Sequence, residues 1–143
     1  MALTTPHLKL THEGALLLLN AAIVKAGEMQ LPQCIAIVDG GCNLLAYLRM
    51  DGAKLLSQEP TIHKAMTAAS HFKPTGDLDA ELGHKLAIAS GGRLVNLKGG
   101  LPVIVDGHVI GGIGVGSATG DQDRIIANAA LAAFPGASIF DFN

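Results

Sequence analysis

The stretch GGLPVIVDGHVIGGIGVGSATGDQD, residues 99–123, places eight glycines among branched aliphatics and constrains this chain more than any other segment. Side chains alternate across a strand, so Gly112, Gly114 and Gly116 share one face while Ile113 and Val115 point to the other. Three glycines on one face cost backbone entropy and forgo packing. A strand tolerates this where another backbone or a flat ligand must approach closely. Either a helix lies directly on this strand or something planar does. A GxGxxG phosphate cradle does not fit, because its third glycine falls on Ser117 or Thr119. The helix start that follows offers free N–H groups over residues 117–121. That is a weak anion site, offset by Asp121 and Asp123.

The flanking pattern shows what surrounds the strand. Thr11 is an N-cap candidate for a helix that is apolar on more than one face from Leu16 to Ala26 and is expected to break at Gly27. CIAIVDGGCNLLAYLRMD reads as a strand, a turn and a strand, since branched aliphatics flank an Asp-Gly-Gly that tolerates positive φ. Pro60 is expected at the first position of a second helix, with Ile62, Ala65, Met66 and Ala69 as its buried stripe. Residues 74–100 show only short helical fragments around Leu78–Leu86 and a loop at SGGR. A second strand pair turns at Asp106-Gly107. Thr119-Gly-Asp-Gln122 is a capping box opening a last helix that ends near Phe134. Helices interposed between antiparallel hairpins indicate an α+β fold with the helices covering the sheet.

The 143 residues suit a single domain spanning 1–143, with 49% hydrophobic and 15% charged residues. Tryptophan is absent, so the core is aliphatic. Ten basic and twelve acidic residues, spread along the chain, give no cationic face or stacking platform, which argues against a nucleic-acid partner. The longest apolar run is interrupted at Asn20 and falls short of the ~20 residues a bilayer span needs. The start MALTTP lacks the basic and apolar stretches of a signal peptide, so a cytoplasmic location is expected. Cys34 is expected to face a residue near Ala46, leaving Cys42 too distant for a disulfide.

The motifs YLRMDGA (47–53), HKAMTAA (63–69), KPTGDL (73–78) and the glycine stretch resemble the GlcG/HbpS family. This family includes an extracellular haem-binding protein and the C-terminal domain of PduO-type cobalamin adenosyltransferases. The resemblance covers roughly residues 8–134. It implies a profilin-like fold with a central antiparallel sheet covered by helices, homo-oligomeric assembly and haem binding, with haem degradation described for some relatives. The family's usual Gly-Val-Ser-Gly step reads Gly114-Val115-Gly116-Ser117 here, so a role for a hydroxyl at the earlier position does not carry over.

Haem or another tetrapyrrole is therefore the leading small-molecule ligand, with Gly112, Gly114 and Gly116 as a flat contact face. Lys64, with Thr67 and His71 three and seven residues on, forms a polar stripe expected to oppose the apolar one. Arg49 and Lys64 suit a carboxylate of haem or of a small organic acid. The same Arg49, Asp51 and Lys64 would equally serve as an ion-pair cluster. As axial haem ligand the candidates are His12 and His63, with His63 and Thr67 also in reach of a ligand. An alternative is an enzyme acting on a small carboxylate or hydroxy acid, with Lys64 and Asp51 transferring protons. A third reading is an assembly module without ligand. Six histidines do not make a zinc site, since Leu16 stands where His12-Glu13 would need a second histidine. Ile139, Phe140 and Phe142 form an apolar tail expected to dock on its own subunit or a neighbour.

Overall fold

Branched aliphatics and Asp-Gly turns build two hairpins, and these join into one sheet. The computed structural model describes residues 1–142. Four helices and four strands follow one another as α1 (His12–Glu28), β1 (Cys34–Asp39), β2 (Leu44–Arg49), α2 (Gln58–His71), α3 (Ala80–Ala89), β3 (Gly100–Val105), β4 (His108–Gly116) and α4 (Gly120–Ala133). The sheet is antiparallel throughout, in the order β2-β1-β4-β3. Pro102 sits in β3, an edge strand, where a missing N–H is tolerated. The α+β fold read from the sequence is the fold observed.

The two faces of the sheet differ because β4 alternates glycine with branched residues. Ile113 and Val115, with Ile35 and Ile37 of β1 beside them, point to the side covered by α1 and α4, where Leu18 and Ile126 complete a fully buried aliphatic core. Each such side chain contributes roughly 1.5–3 kcal/mol through burial. The other face carries Gly112, Gly114 and Gly116, aligned with Val38, Ala36 and Cys34 of β1. Here α2 lies against bare backbone. A Cβ on Gly114 would meet the Thr61 carbonyl oxygen and come within 2.8 Å of the Ala65 amide nitrogen. One on Gly112 would strike the Ala65 carbonyl oxygen, and one on Gly116 the Thr61 hydroxyl. Of the two occupants the sequence allows for this face, the helix is the one present. The three glycines seat α2 and present no face to a flat ligand.

Several local expectations hold and others need correction. Thr11 caps α1 by accepting from the Gly14 N–H at 3.1 Å, but the helix runs through Gly27 to Glu28 and turns off at Gln30, φ 57°. Pro60 is the third residue of α2, because a short 3₁₀ turn at Leu55–Ser57 leads directly into the helix. The stripe assigned to its core is half right. Ala65 and Ala69 are buried, but so are Thr61, Lys64, Thr67 and Ala68, while Ile62 and Met66 stay half-buried. The polar stripe does not oppose the buried face; it belongs to it. The glycine floor admits the helix backbone so closely that small and polar side chains fill the contact, and the Arg93 and Val95 backbone covers Thr67 from the other side.

Within residues 74–100 the helical fragments join into α3, capped by Asp79 accepting from the Glu81 and Leu82 N–H groups. Cys34 faces Arg49, not Ala46, because the hairpin is longer than expected and bulges between Ile37 and Val38. Cys34 and Cys42 are both free, donating to the Lys54 and Met66 carbonyl oxygens. The Thr119 capping box forms as read, with reciprocal bonds of 3.1 and 3.2 Å between Thr119 and Gln122. The apolar tail docks on its own chain through Phe140, while Ile139 and Phe142 stay exposed. Asn128 clamps the Phe140 backbone through bonds of 2.7 and 3.0 Å, and the Arg124 guanidinium lies 4.6 Å from the Phe142 ring centre.

Candidate functional site

Two regions of α2 carry chemistry, one at each end. At its N-terminal end the seat on β4 turns Lys64 inward, where the end of the strand leaves a carbonyl to bind. The Lys64 amine donates to the Val115 carbonyl oxygen at 2.9 Å and to Asp123 Oδ2 at 3.0 Å. Lys64 and Asp123 are 6% and 1% exposed, so this is a buried ion pair. Asp123 Oδ1 accepts from the Ala118 N–H at 3.2 Å, and the buried Gln33 amide bridges it, also at 3.2 Å, to the Gly116 carbonyl oxygen. Burial pushes the Asp123 carboxyl above the ordinary carboxylate range; the Lys64 charge and hydrogen bond and the Ala118 N–H pull it back only in part. A cleft of about 320 Å³ opens over this pair.

At the C-terminal end of α2 a groove of about 240 Å³ runs between the helix and the loop after α3. Met66, Thr67, His71, Arg93 and Leu94 line it, with Cys42 at its far wall. It meets a smaller cavity of about 130 Å³ at Thr67 and His71, where Lys73 and Val95 continue the lining. Thr67 is positioned by accepting from the Val95 N–H at 3.0 Å and donating to the Arg93 carbonyl oxygen at 3.4 Å. Burial, then the Asp39 carboxylate, push the Cys42 thiol up against the opposing pull of Arg93, so this cysteine is a neutral thiol at neutral pH.

The residues singled out from sequence are thereby separated. Arg49 ends the edge strand β2, Asp51 lies in the turn beyond it, and both are exposed. Among the described residues no ion pair joins either of them to Lys64, whose partner is Asp123. The cluster of Arg49, Asp51 and Lys64 does not form, because the helix that carries Lys64 points it at the end of β4. His12 is exposed at the first turn of α1, and His63 is half-buried on α2. Neither lines any of the clefts described here. Thr67 and His71, three and seven residues after Lys64, reach the groove. Sequence reasoning missed Asp123 as the partner of Lys64. Its only sequence signal was an acidic residue in the first turn of a capped helix, which ordinarily serves the helix dipole.

A family model described as "Haem degrading protein HbpS-like" matches residues 10–132. The chain is 37% identical over 121 residues to an uncharacterized 15.0 kDa protein of the dhaT-dhaS intergenic region of Citrobacter freundii, covering 80% of this chain and 84% of that one. It is 31% identical over 133 residues to the corrinoid adenosyltransferase PduO of the same organism, covering 90% of this chain but only 40% of PduO. Among solved structures it matches Klebsiella pneumoniae protein ORFY with a TM-score of 0.85 at 30% identity, over 94% of this chain and 96% of that one. It matches the PduOC:Heme complex with a TM-score of 0.84 at 29% identity, over 94% of this chain and all of that one. With most of its length matched by the family model and by a relative at 37% identity, the chain belongs to the HbpS-like family.

Proposed function

We propose that this protein binds haem in the groove along the C-terminal half of α2, where His71 would hold its iron. The observation that carries the reading is the fold it shares, over 94% of its length, with a domain described in complex with haem. The groove residues fit that group. His71 offers an imidazole for iron where two cavities meet, Met66, Leu94 and Val95 offer apolar contact, and Arg93 and Lys73 offer cations for the two propionates. The groove is open on one side, so the macrocycle would be held at one edge and the remainder left for solvent or another subunit. When bound, haem supplies an iron centre with redox and oxygen chemistry of its own. The chain's contribution is to orient it and to exclude water from the face held against Met66 and Leu94.

Haemin titration of the apo-protein, followed by its Soret band, tests this. Saturable one-to-one binding is expected, lost in His71→Ala, weakened about tenfold in Arg93→Ala, and unchanged in His12→Ala and His63→Ala. Loss only in His12→Ala or His63→Ala would move the site to that histidine, and a non-saturating signal would overturn the haem reading altogether. The same reading includes association with further copies of the chain, supported by the open edge of β2, which exposes Leu44, Leu45 and Leu48. Sedimentation equilibrium would then give a multiple of 14.7 kDa.

A further inference from the structure

The cleft over the Lys64–Asp123 pair lies outside the haem groove, and its lining points to a ligand of a different kind. Three lysines, Lys54, Lys64 and Lys98, face it against a single lining carboxylate, Asp123. Lys64 is bound to Asp123, and Lys98 reaches out of the cleft to Asp121 at 3.1 Å. Lys54 has no ion-pair partner among the described residues. A lining with this excess of positive charge suits an anion.

Two hydroxyls add to the charge. Thr61 lines the inner wall and is fully buried, and its hydroxyl, facing the bare Cα of Gly116, has no hydrogen-bond partner. A buried hydroxyl left unpaired costs about 1–3 kcal/mol. Ser117 accepts from the Lys54 N–H at 2.8 Å and keeps its own hydrogen free to donate. Its φ of 106° is one that side chains other than glycine rarely adopt, and here it holds the hydroxyl at the cleft. Gly120, the first residue of α4, lines the same space, and its N–H, unlike that of the capped Gln122, has no intrahelical partner.

We propose that this cleft binds a small oxyanion, a phosphate or a carboxylate, at a site separate from the haem groove. Lys54 and Lys98 supply the charge at its mouth. The Ser117 hydroxyl and the Gly120 N–H supply directed donors, and the unpaired Thr61 hydroxyl lies behind them in the inner wall. Lys64, held by Asp123, completes the floor as a positioned cation whose charge the anion shares. The cleft, about 320 Å³, has room for such an anion.

The test is calorimetric titration of the apo-protein with inorganic phosphate and, separately, with malonate, each against sodium chloride at equal ionic strength. Lys54→Met and Lys98→Met keep the apolar stems of two exposed or half-exposed lysines, so neither disturbs the core. Saturable binding of either probe, weakened about tenfold or more in both variants, supports the site, and the probe that binds tighter names the source. Heat no greater than that of sodium chloride, or binding unchanged in both variants, overturns it. The haemin titration reads a different site, so a failure there leaves this result standing, and the reverse holds too.

Discussion

Gly114 and Gly27 show how far one residue type depends on its surroundings. A methyl group on Gly114 would strike the Thr61 carbonyl oxygen and the Ala65 backbone, and neither can move without lifting α2 from the sheet. Gly114→Ala is expected to cost about 3 kcal/mol or more by overpacking. Gly27, inside α1, has nothing within 4 Å of a Cβ. Gly27→Ala is expected to stabilise by roughly 0.5–1 kcal/mol, because the helix gains propensity and the unfolded chain loses freedom. Urea denaturation of the two variants should give shifts of opposite sign.

At the same scale, Lys64 holds Asp123 closer to its ordinary pKa than burial alone would. Lys64→Met removes that restraint, and the folded-state pKa of Asp123 rises further above the unfolded value of about 3.9. A carboxyl whose folded pKa is raised contributes stability below its unfolded pKa and loses it as pH climbs through the folded value. The variant is therefore expected to lose about 3–5 kcal/mol near pH 8 and distinctly less at pH 5, measured by denaturation at both pH values. An equal loss at the two would show that Asp123 does not titrate as its burial dictates.

Among the elements, α2 is the one that borders both the groove and the lysine-lined cleft. It is seated by glycines on one strand, contributes Lys64 to the buried pair near its start, and presents Thr67 and His71 to the groove near its end. In the C-terminal tail the Phe140 backbone is held by a single amide of α4. Asn128→Ala removes both bonds to the Phe140 backbone and is expected to cost about 1–3 kcal/mol. It should also speed limited proteolysis after Phe134 by several-fold. The rest of the tail is held by the Ser138 N–H donating to Ile104 at 2.9 Å and by a bridge between Ala137 and Val105. A tail released completely would mean that Asn128 alone docks it.

Over the whole molecule, the arrangement keeps two chemistries apart on one helix. An imidazole groove with apolar walls lies at one end, and a lysine-rich cleft at the other. The layering that does this, α1 and α4 on one face and α2 on the other, follows from the alternation in β4. Large residues on one side demand a thick core, and glycines on the other demand a backbone in contact. No helix among the described residues is long and apolar enough to cross a membrane. With the cleft and groove on opposite halves of α2, Lys54→Met should leave the haemin titration unchanged while altering phosphate or malonate binding.

The order of helices and hairpins apart from α3, the caps at Thr11 and Thr119 and the turns at Asp39-Gly40 and Asp106-Gly107 were legible in the chain, because each rests on residues within four positions of one another. The glycine alternation likewise required that something flat or thin cover β4. What covers it, which face of α2 is buried, and that Lys64 pairs with Asp123, 59 residues on, instead of Arg49 or Asp51, were decided only in the tertiary structure. Those outcomes depend on how closely two backbones approach and where a strand ends against a helix, and the distances involved are set by packing between segments far apart in sequence.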